Sequence, residues 1–103
     1  MECSNNVKDG VITIRLDGEL DEKSAATTRD YLDRTIRNHN YHQVILDFAK
    51  VGFMDSTGIG VLLGRYKKLT ESGAELCVTN LNSQIDKVFR ISGLYQIIKA
   101  VKL

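Results

Sequence analysis

Residues 43–71 leave this chain few folds to choose from. Gln43-Val44-Ile45-Leu46-Asp47-Phe48 is a nearly unbroken apolar run, short enough for a strand buried on both faces. Helical spacing follows, with Ile59, Leu62, Leu63, Tyr66 and Leu69 on one face at i, i+3, i+4, i+7 and i+10. Between the two, Asp55-Ser56-Thr57 supplies short oxygen-bearing side chains that accept from a helix's unpaired N–H groups. The stretch predicts strand, loop, helix, with Ser56 at or next to the N-cap.

The opposite face of that helix gathers Thr57, Gly60, Val61, Gly64 and Lys68. A glycine inside a helix costs roughly 0.8–1 kcal/mol relative to alanine, so Gly60 and Gly64 call for a compensating reason. Two are open. Another element of the same fold packs closely there, or the face is a smooth outer surface where a second protein nears the backbone and meets Val61.

The rest of the chain extends the alternation. Val7-Lys8 and Val11-Ile12-Thr13-Ile14-Arg15-Leu16 flank Asp9-Gly10, a strong short hairpin signal. Gly18-Glu19-Leu20-Asp21 reads as a loop, with Asp21 able to cap a helix from about Glu22 to Asn38 that buries Ala25, Thr28, Leu32 and Ile36. The helix 57–71 stops at Ser72-Gly73. Glu75-Leu76-Cys77-Val78-Thr79 is a strand, Asn82 or Ser83 opens a short helix carrying Ile85, Val88 and Phe89, and that helix ends near Ser92-Gly93-Leu94. Gln96 to Val101 forms a last strand. Strands alternating with helices predict an α/β domain: a mixed, largely parallel sheet with an N-terminal hairpin and right-handed crossover helices. The Ser56 loop falls at the C-terminal end of a strand, where such sheets carry their working loops.

Length and composition bound what the domain does. At 103 residues it is one domain, burying somewhat over ~60% of the surface its unfolded chain exposes. A net charge of +1 supplies no electrostatic drive toward nucleic acid or an anionic membrane. No apolar stretch is long enough to span a bilayer, the first residues lack a signal-peptide pattern, and Cys3 and Cys77 read as free thiols in the reducing cytosol.

Enzyme chemistry finds little support. A serine hydrolase needs a base near Ser56, but His39 and His42 precede the 43–48 strand, at the far end of the sheet, and the G-x-S-x-G elbow is missing. Gly58-x-Gly60-x-x-x-Gly64 follows a strand and opens a helix, as in a dinucleotide site. Leu63 stands where the third glycine belongs, however, and the next strand ends in Thr79-Asn80 rather than a ribose-binding acid. No His/Cys cluster has metal-ligand spacing. On these grounds alone Ser56 reads as a plain cap residue.

The segment from Phe53 to Lys67, FMDSTGIGVLLGRYK, closely resembles the phosphorylation segment of the bacterial anti-sigma factor antagonists, small proteins of the STAS domain class. Gly18-Glu19-Leu20-Asp21 is similar to the family's loop before its first helix, and Val88 to Leu94 to its late helix and turn. Leu-Gly-Arg-Tyr-Lys at 63–67 looks most like the sporulation branch, with the general-stress branch as the near alternative. Two departures stand out. Glu22-Lys23 replaces the histidines usual after Asp21 in the sporulation proteins. The family usually continues into a C-terminal helix where this sequence stops at Leu103, so part of the sheet is expected to lie uncovered.

The resemblance implies a single cytoplasmic STAS domain over residues 1–103, monomeric when free, that is a kinase substrate rather than an enzyme. It implies that the unphosphorylated form binds an anti-sigma factor, itself a serine kinase, and so frees a sigma factor. Phosphorylation of Ser56 ends that binding, and a serine/threonine phosphatase resets it. ATP, ADP and Mg²⁺ belong to the kinase, so the chain itself is expected to hold no cofactor or metal, and to touch neither nucleic acid nor membrane. Carried over residue by residue, Glu19, Asp21, Asp55, Thr57, Gly58, Gly60, Val61 and Gly64 border the partner surface.

Overall fold

Asp9 and Gly10 both take positive φ, 54° and 77°, which is what a primed two-residue turn requires. They fold β1 (Glu2–Lys8) back onto β2 (Val11–Leu20) in antiparallel register, Lys8 opposite Val11. The computed structural model describes residues 1–103. After the hairpin come α1 (Ala25–Arg37), β3 (Gln43–Met54), α2 (Ser56–Glu71), β4 (Glu75–Thr79), α3 (Ser83–Ser92), a 3-10 turn at Leu94–Gln96 and β5 (Lys99–Ala100). The five strands lie in the order β1-β2-β3-β4-β5, and every pair after the hairpin is parallel. This is the expected mixed, largely parallel sheet.

One face of the sheet carries the core. Ile12, Ile14 and Leu16 of β2 and Val44, Leu46 and Phe48 of β3 alternate onto it, joined by Leu32 of α1, Leu62 and Leu69 of α2, and Ile85 and Phe89 of α3. Each of these side chains contributes about 1.5–3 kcal/mol by leaving water. Phe89 meets Phe48 edge to face, ring centres 6.1 Å apart. The register places Thr13, Ile45 and Cys77 in one row of the opposite face and Arg15, Asp47 and Thr79 in the next. There Asp47 is held by the Ala49 amide (2.9 Å) and the Asn80 side chain (3.0 Å). Arg15 stays exposed on that face while Ile45 and Cys77 are buried.

Several boundaries differ from expectation. The predicted loop at Gly18–Leu20 is strand, and β3 runs six residues beyond Phe48, because the two tails pair with each other as far as Leu20–Met54. Two register shifts let them do so, and at Gly18 the backbone takes φ +133°, a conformation open to glycine. Regular α1 starts at Ala25 rather than Glu22. Asp21 caps the turn ahead of it, its Oδ1 accepting from the Lys23 (3.0 Å) and Ser24 (3.1 Å) amides, while Ser24 Oγ accepts from the Asp21 amide at 3.1 Å. Thr35, not Ile36, is the last buried position of α1. The last strand shrinks to two residues because the amides of Gln96, Ile97 and Ile98 bond back to Gly93 and Leu94.

The largest correction concerns α2. Its buried residues are Gly58, Val61, Leu62, Arg65 and Leu69, and Leu63 is exposed. The helix is rotated from the expected apolar stripe because its side packs on α1, where Arg65 finds Asp33. Val61 is therefore a core residue, 2% exposed, not a surface contact.

Candidate functional site

The site is built where β2 and β3 end together. Pairing of Glu19 with Phe53 and of Leu20 with Met54 sets the two tails side by side, and the Asp55 amide donates to the Leu20 carbonyl at 3.3 Å. The chain then turns into α2. Asp55 is the N-cap, in extended conformation, its carboxylate accepting from the Thr57 amide at 2.9 Å and its carbonyl from the Gly58 amide at 3.1 Å. Ser56 is the first helical residue, next to the cap, and exposed. Its hydroxyl thus lies at the positive end of a 16-residue helix.

The structure brings Glu19, Asp21, Asp55, Ser56 and Thr57 to this one end of the sheet, on the tails of β2 and β3 and the first turn of α2. Gly60 and Gly64 lie further along α2. A Cβ added at either would meet nothing within 4 Å, so no element of the fold packs against them. Of the two readings of the glycine face, internal packing is excluded for these two positions. Gly58 behaves in the opposite way: a Cβ there would stand 2.4 Å from Met54 Cγ and 3.0 Å from Leu20 Cγ. Gly58 and Val61, expected at the partner surface, are buried instead.

The same burial bears on the other chemistries. A pyrophosphate could not approach the Gly58 backbone through the space that Met54 fills. His42 stands at the far end of β3, its amide bonded to the Gly10 carbonyl, and His39 lies past the C-terminus of α1, its ring bonded to the Thr35 carbonyl, so neither imidazole is near Ser56. No three His, Cys, Asp or Glu side chains are grouped for a metal ion, and no helix is long and apolar enough to cross a membrane.

One feature of the site was missed from sequence. A cleft of about 530 Å³ opens between the start of α2 and one side of α3, lined by Phe53, Met54, Asp55, Ser56 and Ile59 and by Gln84, Lys87, Val88, Ile91 and Ser92. Phe53 is 40% and Ile91 75% exposed, so an apolar surface adjoins the Ser56 hydroxyl. The signal was available: Gln84, Lys87, Val88 and Ile91 follow i, i+3, i+4, i+7 spacing, a second face of α3 beside the one that buries Ile85 and Phe89.

Comparison with known proteins agrees with this geometry. The STAS domain profile matches residues 3–103. An anti-sigma F factor antagonist of Paenibacillus polymyxa is 36% identical over 88 residues, covering 85% of this chain and 75% of the relative. An anti-sigma-B factor antagonist of Listeria monocytogenes is 32% identical, covering 85% and 76%. Among solved structures, the anti-sigma factor antagonist SpoIIAA in its unphosphorylated form superposes with a TM-score of 0.81 at 28% identity, covering 98% of this chain and 89% of that one. Its phosphorylated form from Bacillus superposes with a TM-score of 0.73, covering 98% and 92%.

Proposed function

The chain belongs to the STAS domain family, and on that premise we propose that it is an anti-sigma factor antagonist switched by phosphorylation of Ser56. Unphosphorylated, it docks on an anti-sigma factor that is itself a serine kinase, and the sigma factor is released. The kinase then transfers the γ-phosphoryl group of ATP to Ser56 Oγ. The Oγ–P bond forms as the bond from the γ-phosphorus to the bridging oxygen breaks, the hydroxyl proton passes to a base of the kinase, and ADP remains. A serine/threonine phosphatase hydrolyses the ester and restores the docking form.

The observation that carries this reading is the placement of Ser56: an exposed hydroxyl on the first residue of α2, beside its Asp55 cap and at the open end of the sheet. Such a hydroxyl is reachable by a second protein, and the phosphate it receives lies at the favourable end of the α2 dipole. Glu19, Asp21, Asp55 and Thr57 form the polar part of the docking surface, and Gly60 and Gly64 let a partner near the α2 backbone. Gly58 and Val61 support that surface from below. The 36% identity to the Paenibacillus polymyxa sigma F antagonist supports the sporulation branch, although another sigma F antagonist and the Listeria sigma-B antagonist both stand at 32%.

The test is to incubate the protein with anti-sigma serine kinases of both branches and ATP, then locate phosphate by mass spectrometry. Phosphate on Ser56 alone, delivered by the sporulation kinase, is the expected outcome. Phosphate elsewhere, or none with either kinase, rejects the proposal, and phosphate delivered only by the stress kinase moves the chain to the other branch.

A further inference from the structure

Beyond Asp47, β3 has no strand on its β4 side. Pairing with β4 ends at Asp47–Thr79, whereas pairing with β2 continues to Leu20–Met54. The backbone groups on the bare side still need partners, and two side chains from the start of α3 supply them. Asn82 Nδ2 donates to the carbonyls of Val51 (3.2 Å) and Gly52 (3.1 Å), while its Oδ1 caps α3 by accepting from the Ile85 amide at 2.9 Å. Gln84 spends both ends of its amide on one residue. Its Oε1 accepts from the Met54 amide at 3.1 Å and its Nε2 donates to the Met54 carbonyl at 3.0 Å. This reproduces the two-way exchange of a hydrogen-bonded antiparallel pair, with a side chain in place of a strand.

Met54 is the residue this clamp controls, and a single residue, Asp55, separates it from Ser56. The Met54 side chain is fully buried under Gly58, so the clamped peptide cannot shift without disturbing the first turn of α2. Across the tail, the Asp55 amide is tied to Leu20. The segment entering α2 is thus held from both edges, by β2 on one and by Gln84 on the other.

We infer that Gln84 is a positioning residue for the Ser56 hydroxyl, fixing the strand-to-helix turn so that Oγ is presented in one orientation for phosphoryl transfer. The inference rests on Ser56 being the phosphoacceptor. In-line transfer tolerates little misplacement of the attacking oxygen, and small displacements cost ten- to a hundredfold in rate. Only an amide of this length serves both Met54 groups. Glutamate keeps the acceptor and loses the donor, and leucine keeps the volume and loses both.

The experiment compares wild type, Gln84→Leu and Gln84→Glu by steady-state phosphorylation of Ser56 with the kinase that modifies wild type, and by hydrogen exchange at the Met54 amide. Gln84→Leu should speed Met54 exchange by about tenfold or more and lower kcat about tenfold, with KM within about twofold of wild type. Gln84→Glu, which keeps the bond to the Met54 amide, should retain exchange protection and still lose kcat. It also serves as the reporting variant should Gln84→Leu fail to fold. A raised KM at unchanged kcat would make Gln84 a partner contact in the cleft and overturn the positioning role, as would unchanged kinetics. Wild-type Met54 exchanging freely would show that the clamp does not hold. Absence of phosphate on wild-type Ser56 would instead reject the functional reading underneath, a result visible before any variant is made.

Discussion

Arg65 of α2 reaches across to Asp33 of α1, Nε lying 3.1 Å from Oδ1, with only 6% of the arginine exposed. Lys68 adds a second cation at 3.3 Å from Oδ2. The Arg65 contact is close but poorly aligned for a hydrogen bond, and Arg65 Nη1 is buried without an acceptor from the protein. Such a pair locks the rotation of α2 on α1 more than it adds net stability, because desolvating the guanidinium offsets much of the attraction.

That imbalance is measurable. Asp33→Ala strands a buried cation and should cost roughly 3 kcal/mol, whereas the double variant Asp33→Leu/Arg65→Met should cost less than Asp33→Ala alone. Urea unfolding of the three proteins decides it. A double variant less stable than the single one would mean that the pair is a net stabiliser.

Arg65 also shows where the periodicity of α2 and its packing part company. Periodicity reports where apolar residues cluster, and on α2 that is the Ile59–Leu62–Tyr66 side. The helix instead buries its Arg65 side against α1, where Asp33, far away in sequence, faces it. Val61 follows Arg65 inward, and Gly60 is left outside. Elements with local signals were legible: the Asp9-Gly10 hairpin, β4, α3 with its Asn82 cap and left-handed Gly93, and Ser56 beside the start of α2. Features that depend on two distant segments were not. The β2 and β3 tails are strand because each is the other's partner, and the cleft beside Ser56 exists only once α3 lies against Phe53 and Ile59.

Neighbouring glycines of α2 should respond oppositely to substitution. Gly58→Ala drives a methyl into Met54 and Leu20 and should destabilise by about 1–3 kcal/mol. Gly60→Leu enters open space and replaces a poor helix former, so stability should hold or rise by up to about 1 kcal/mol, while binding of the anti-sigma factor is lost. Melting curves and titration calorimetry separate the two effects. A large fall in melting temperature for Gly60→Leu would remove that residue from the proposed docking surface.

Alkaline stability should depend on Tyr95. Burial, followed by the 2.6 Å hydrogen bond to the Asp86 carboxylate, pushes its phenol up to about 12 from an ordinary value near 10. Burial, then the bond to Glu75, raises the Cys77 thiol to about 11. Both folded pKa values lie above the unfolded ones, so the folded state keeps protons that the unfolded chain has released. The Cys77 contribution is lost as pH rises from about 9 to 11 and the Tyr95 contribution from about 10 to 12, and both are complete well below those ranges. Tyr95→Phe should therefore melt somewhat lower than wild type at pH 7 and lose less between pH 9 and 12. Parallel pH profiles for the two proteins would refute this assignment.

At Ser56, stability and binding should come apart. Phosphorylation adds about −1.5 to −2 charges. The α2 dipole stabilises each by ~0.3–1 kcal/mol at an exposed site, and neighbouring Asp55 repels by a comparable amount in water. The two nearly cancel, so the fold should survive modification, in keeping with the superposition of this chain on both forms of SpoIIAA. A docked interface changes the balance, because the phosphate must be desolvated against a surface shaped for a hydroxyl, beside an acidic cap and an apolar cleft. On the proposed function the expected switch is steric and electrostatic blocking of the partner, not refolding. Ser56→Ala should bind the anti-sigma factor persistently and resist phosphorylation, while Ser56→Asp should melt within a few degrees of wild type and bind poorly. Affinity measured with ADP present, alongside a melting curve for each variant, tests the separation. Tight binding by both Ser56→Asp and the phosphorylated protein would eliminate the blocking mechanism. Weak binding accompanied by a large fall in melting temperature would replace it with a conformational switch.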